Sequence, residues 1–139
     1  MKQSRLLSTA LITVITLSMP GCKKDTPDID YTSMEGTWKL IGQNMGLPDG
    51  YVSVAHGELF TLSKDSTFRK GTSTCDHGAY SISKSHITLD YSCKNKASML
   101  SEGVQHWGYT LKNGILALSP TFLNCAEGCS YHYKKISNH

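Results

Sequence analysis

From Gly36 onward large apolar residues alternate with polar ones, and turn-forming residues interrupt the alternation every eight to ten positions. A period of two marks a strand with one buried face, and no stretch shows the spacing of an amphipathic helix. Strands are expected near 36–44, 57–63, 67–73, 78–83, 86–93, 104–111, 115–119 and 130–137. Strands this short and this regular point to an all-β barrel or sandwich. Short hairpins favour an eight-stranded antiparallel up-and-down β-barrel, which closes its own edges.

Hairpin arithmetic makes the register explicit. In "YTLKNGILALSP" the pair Asn113-Gly114 suits a type I′ turn, whose two central residues need positive φ. A two-residue loop sets Leu111 opposite Leu116, Tyr109 opposite Leu118 and Trp107 opposite Pro120, with the bulky residues on one face. A slip of one residue would put Leu116 opposite Thr110 and break that face. In "GAYSISKSHITLDYS" a Lys84-Ser85 loop pairs Tyr80 with Leu89 and Ile82 with Ile87, and a turn at Lys64, Asp65 and Ser66 brings Leu62 beside Phe68. The inward set is then Trp38, Phe60, Leu62, Phe68, Tyr80, Ile82, Ile87, Leu89, Tyr91, Trp107, Tyr109, Leu111, Leu116 and Leu118. Residues 45–56, "MGLPDGYVSVAH", fit no tight hairpin and are expected to lie as a loop across one barrel mouth.

The N-terminus follows another pattern. Residues Leu6 to Met19 form a 14-residue, mainly apolar run behind Lys2 and Arg5. Spanning a bilayer takes about 20 apolar residues, so the layout is that of a secretory signal rather than a membrane span. The segment "LSMPGC" that ends it resembles the lipobox of bacterial lipoproteins, which implies lipidation of Cys22 as the mature N-terminus. The expected organisation is a signal peptide over 1–21, a polar tether over 22–33 and one domain over 34–139. Losing 21 of 139 residues leaves 118, enough for a single modest core. The loss also takes the basic residues from 14 to 12 against 11 acidic ones, so the chain lacks the charge excess that nucleic acid requires.

The strand order carries a second resemblance. "GTWKLIG" looks like the Gly-x-Trp first strand of lipocalins. With the "STF" turn, the "GAYSIS…ITLDYS" and "YTLKNGILALS" hairpins and a final strand rich in Tyr and Lys, the chain resembles the lipocalin-like domain family of bacterial (Bacteroidetes-type) lipoproteins. That likeness implies a lipocalin-like (calycin-type) barrel in the cell envelope, anchored to the outer membrane. It also implies a floor where Trp38 lies under a basic side chain, here Lys134 or Lys135. The second lipocalin motif, a terminal arginine and a C-terminal helix are missing, which leaves the ligand unspecified.

The remaining chemistry is sparse. An exported chain permits disulfides, and four cysteines besides Cys22 allow three connectivities. Hairpin register places Cys75 one residue out of step with Cys93, and Cys125 and Cys129 lie close enough in "NCAEGC" to close a small loop. A zinc site using these thiolates with His77 or His132 is the competing reading, although neither spacing matches a familiar zinc module. His77 beside Asp76 invites a catalytic reading, but consecutive strand residues face opposite ways and such neighbours cooperate poorly. No catalytic motif appears, so the expectation is a non-enzyme without cofactor or metal. Two functions fit. In one, the barrel binds a small hydrophobic ligand near Tyr80, Tyr91, Trp107 and Tyr109. In the other, a solid barrel acts through its loops as a protein-interaction module or an inhibitor of an envelope enzyme.

Overall fold

The computed structural model describes residues 28–46, 50–71, 75–93, 103–121 and 128–138. Among them nine strands form one antiparallel sheet: β1 (Gly36–Met45), β2 (Tyr51–Ser53), β3 (Leu59–Leu62), β4 (Thr67–Lys70), β5 (His77–Ile82), β6 (His86–Tyr91), β7 (Val104–Lys112), β8 (Ile115–Pro120) and β9 (Cys129–Ser137). Each strand from β3 to β9 pairs with the next, and β9 returns to β1, which also pairs with β3, so eight strands close an all-β, antiparallel up-and-down barrel. Closure joins ten-residue β1 to nine-residue β9, with an extra residue on each strand at two points of irregular register.

The hairpin registers are those the alternation predicts. Leu111 faces Leu116 and Trp107 faces Pro120 across a turn where Asn113 and Gly114 hold φ of 51° and 71°. Tyr80 faces Leu89, Ile82 faces Ile87, and Leu62 faces Phe68. Ten of the fourteen expected inward residues are buried, among them Trp38, Phe60, Ile87, Leu89, Leu116 and Leu118, with Tyr133 added to them. Tyr80, Tyr109 and Leu111 are partly buried against this core. Ile82 is the correction: it ends β5 at the rim and is 42% exposed.

Residues 45–56 also depart from expectation. Instead of crossing a mouth, the chain reverses after Gly46 and β2 runs back along β1, with Asn44 opposite Tyr51 and Gly42 opposite Ser53. The reason lies in strand lengths. Four-residue β3 covers β1 only from Gly36 to Lys39, and the rest of that edge would stand unpaired without β2. Between β2 and β3 the register against β1 shifts, so that Ala55, His56 and Gly57 bulge out. Gly57 comes so close to β1 that a Cβ would lie 1.9 Å from the Leu40 carbonyl oxygen.

The two barrel ends differ. At one end lie the β3–β4, β5–β6 and β7–β8 turns, and residues 28–35 are strapped across it. Asp30 N–H donates to Asn138 Oδ1, Asn138 Nδ2 donates to the Asp28 carbonyl, and Tyr31 packs on Gly114. The tether expected over 22–33 is therefore held on the barrel from Asp28 onward. Cys22 and the expected signal peptide lie outside the described residues.

Candidate functional site

Opposite the strap, β3, β4, β6, β7 and β9 direct a second group of side chains inward. Glu58 precedes β3 on the same face as Phe60, and Lys70 follows Phe68 by two residues on β4. Strand alternation therefore aims both charged groups into the barrel. The Tyr133 hydroxyl donates to Glu58 Oε1 at 2.8 Å, and Lys70 Nζ lies 3.9 Å from that oxygen. The ammonium also sits 4.5 Å from the centre of the Trp107 ring, a cation–π arrangement. Trp107 Nε1 and the Tyr91 hydroxyl both donate to Gln105 Oε1, at 3.0 and 3.4 Å. Tyr131 meets Trp107 edge-on at 5.8 Å, while Tyr91, Phe68, Phe60 and Tyr133 form a chain of ring contacts.

This is an aromatic wall around one charge pair. Only 14% of the Lys70 side chain is exposed, against 37% of Glu58, so Glu58 is the more solvent-exposed of the pair. Burial lowers the Lys70 pKa from its ordinary value, with Glu58 pulling the other way. Burial pushes the Tyr91 phenol up to about 12, and the nearby Glu58 charge adds to the shift. Tyr133 is driven up by the same causes.

The four aromatic residues expected to surround a ligand do not all meet here. Tyr91 and Trp107 belong to this group. The Tyr80 hydroxyl donates to the Ser63 carbonyl and that of Tyr109 to the Ser83 carbonyl, both in turns at the strapped end. Those two hydroxyls are thus satisfied by backbone, away from the charge pair. Sequence reasoning missed Glu58, Lys70, Gln105, Tyr131 and Tyr133, although each shares the parity of an assigned core residue or of Lys135.

At the floor, Lys135 is 1% exposed and lies 5.3 Å from the Trp38 ring centre, whereas Lys134 is exposed. The Lys135 ammonium donates to the carbonyls of Asp30 and Ser33, and Trp38 Nε1 donates to the Met34 carbonyl. The strap and the floor are thus one hydrogen-bonded unit.

Cys75 and Cys93 form a disulfide with their Cα atoms 5.6 Å apart, stapling the β5–β6 hairpin at the end opposite the strap. Oxidation removes both thiolates from the zinc reading. Cys129 is disulfide-bonded too, while Cys125 lies outside the described residues. Outside the barrel, Asp76 and His77 do cooperate, contrary to the strand argument. Asp76 precedes β5, and its carboxylate takes Arg69 at 3.2 Å and His77 Nδ1 at 3.0 Å. The His77 hydrogen bond is the main cause holding the Asp76 pKa below its usual value, and Arg69 adds to it. A groove of about 500 Å³ beside this trio is lined by Arg69, His77 and the hydroxyl residues Thr61, Thr67 and Ser92.

Fold and site together define a closed eight-stranded antiparallel barrel with one strapped end and one aromatic, charged end. A crystal structure of an uncharacterized protein from Bacteroides eggerthii DSM 20697 is similar, with a TM-score of 0.53 at 16% identity over 75% of this chain and 100% of that one. At that identity the likeness shows the fold alone. No family model and no curated protein matches the chain.

Proposed function

We propose that the protein is a lipid-anchored lipoprotein of the bacterial cell envelope, of the lipocalin-like kind, whose barrel binds a small hydrophobic ligand at the end opposite the strap. The observation that carries this reading is the aromatic wall of Tyr91, Trp107, Tyr131 and Tyr133 around the inward pair Lys70–Glu58. Stability alone favours apolar filling at such a place, because a buried ion pair seldom outperforms well-packed hydrocarbon. Anchoring through Cys22 has a geometric consequence. Six residue steps to Asp28 reach at most about 20 Å, which keeps the strapped end near the membrane and turns the aromatic end away.

The test is titration of residues 22–139, which contain the nine described strands, with an uncharged fluorescent apolar probe. Saturable binding is expected, weakened in Trp107→Ala and unchanged in Tyr80→Phe. Equal binding by all three proteins would refute the placement. Anchoring is tested separately: Cys22→Ala should abolish acyl labelling and release the protein from membranes, and retention of both label and membrane association would refute it. A second reading rests on the β1–β2 hairpin, where Met45, Tyr51 and Val52 are each about half exposed beside the outer edge of β2. In that reading the barrel is solid and this face docks a protein. An absence of probe binding together with large stability losses in Trp107→Ala and Tyr91→Ala would favour it.

A further inference from the structure

Among the described residues two lysines point into the barrel, and they make an internal comparison. Each lies over a tryptophan ring, Lys135 at 5.3 Å from Trp38 and Lys70 at 4.5 Å from Trp107. In both, burial lowers the pKa of the ammonium. Their acceptors differ. Lys135 donates to two backbone carbonyls. Lys70, among the described residues, has no acceptor at hydrogen-bond distance, and its nearest charge is the Glu58 oxygen at 3.9 Å. That oxygen already takes the Tyr133 hydroxyl at 2.8 Å. An ammonium carries three donors, and those of Lys70, whose side chain keeps 14% of its surface in solvent, are left to water rather than to a fixed protein acceptor.

The floor lysine is thus a finished structural contact, whereas the Lys70 ammonium is aimed into the aromatic group with its donors available. We propose that Lys70 receives the anionic head of an amphipathic ligand, a carboxylate or a similar oxyanion, while Tyr91, Trp107 and Tyr131 pack against the apolar part. This rests on the ligand-binding reading above and narrows it to a ligand class. Glu58 has a defined part in the scheme. Its negative charge beside Lys70 competes with the incoming head, and its exposure puts it where the head would enter. The arrangement favours an anionic ligand over a neutral one, which binds through its apolar part alone and leaves the ammonium without an oxyanion, and over a cation, which would meet the ammonium head-on.

The experiment compares a fluorescent conjugated-polyene fatty acid with its methyl ester, titrated into residues 22–139 at low ionic strength. The two probes share the hydrocarbon and differ in the charge. Wild type should bind the acid at least about tenfold more tightly, the equivalent of one charge-assisted hydrogen bond. Lys70→Met should remove that preference and leave ester binding in place. Lys70→Arg should retain most of it, and Glu58→Gln should strengthen acid binding while leaving the ester unaffected. Arg and Gln variants keep the test valid if the methionine variant fails to fold. Equal affinity of wild type for acid and ester would overturn the inference and leave ligand binding standing. A preference that survives in Lys70→Met would overturn it as well, by assigning the head to another group. If neither probe binds, both the inference and the reading beneath it fall.

Discussion

Replacing Lys135 by methionine keeps an unbranched stem of similar length and removes the charge from the barrel floor. The lost interactions are the donations to the Asp30 and Ser33 carbonyls and the contact with the Trp38 ring. A hydrogen bond from a charged donor contributes about 1.5–3 kcal/mol, and a cation–π contact about 0.5–2 kcal/mol. Two effects reduce the sum. Desolvation of the ammonium already opposes folding, as its lowered pKa records, and the released carbonyls at the barrel end can turn to water. A net loss of about 2–4 kcal/mol is expected, which for a domain of this size lowers Tm by roughly 8–15 °C. Lys134→Met, on the same strand but exposed, should shift it by less than about 2 °C. Thermal melts measure both, and amide hydrogen exchange supplies the local readout. Protection of the Asp30 amide, which depends on Asn138, should fall in Lys135→Met well below the melting temperature. Equal small shifts for the two lysines, or a strap as protected as in wild type, would refute the view that Lys135 ties strap and floor together.

Other consequences can be measured directly. The Cys75–Cys93 disulfide spans 18 residues, so Cys75→Ser with Cys93→Ser should cost roughly 3 kcal/mol in denaturant melts, and a change below about 1 kcal/mol would contradict that. A Cβ at Gly78 would lie 1.9 Å from the Asp90 carbonyl oxygen, and one at Gly108 has nothing nearer than 3.8 Å. Gly78→Ala should therefore lose about 3 kcal/mol or more and Gly108→Ala less than about 1 kcal/mol, with equal losses counting against the close approach. At alkaline pH the tyrosines set the sign. Burial pushes the Tyr91 phenol up to about 12 and raises Tyr80 and Tyr133 too, so above the ordinary lysine value, where the lowered Lys70 and Lys135 no longer distinguish the folded from the unfolded chain, these phenols keep more protons on the folded state. Their contribution is fully present below pH 10 and is lost as pH rises toward 12. Absorbance of tyrosinate should show these phenols ionising together with unfolding, and their ionisation in a still-folded barrel near pH 10 would refute it.

How much of this was legible in the chain depends on whether local pattern or tertiary packing decides each feature. Hairpin registers are local. Asn113-Gly114 sets a turn and period two sets a face, so Leu111–Leu116 and Tyr80–Leu89 follow from spacing alone. The placement of β2 is not local, because it answers an edge left on β1 by the shortness of β3, and no property of "YVS" records that. Asp76 escaped for a related reason: the opposite-faces rule holds inside a strand, and Asp76 stands just before one. The charge pair was missed through a choice of residue type. Lys70 has the parity of Phe68, and Gln105 that of Trp107, but the alternation assigns only aromatic and aliphatic residues inward. Parity would also have separated the two floor candidates. Lys135 aligns with Tyr131 and Tyr133 in "YHYKK", and Lys134 does not.

The contrast between the two lysines leads to a prediction about what each is for. If Lys70 served stability, it would be held as Lys135 is, by short bonds to fixed acceptors. Its nearest oxygen is instead 3.9 Å away and is shared with Tyr133, while burial lowers its pKa. In such a place the desolvation of the ammonium offsets what the ion pair and the Trp107 ring return, and an apolar side chain of similar length packs without that cost. Lys70→Met is therefore expected to leave stability within about 1 kcal/mol of wild type or to raise it, as commonly happens when a functional charge is replaced by hydrocarbon. Glu58 does not become an orphan in that variant, because it keeps the Tyr133 hydroxyl and its exposure to water. Denaturant melts of Lys70→Met and Lys135→Met side by side make the comparison. Opposite behaviour, with the floor variant weakened and the other unharmed, is the expected result. A loss in Lys70→Met as large as that in Lys135→Met would mean that both ammonium groups hold the barrel together, and the case for a site at the unstrapped end would lose its main support.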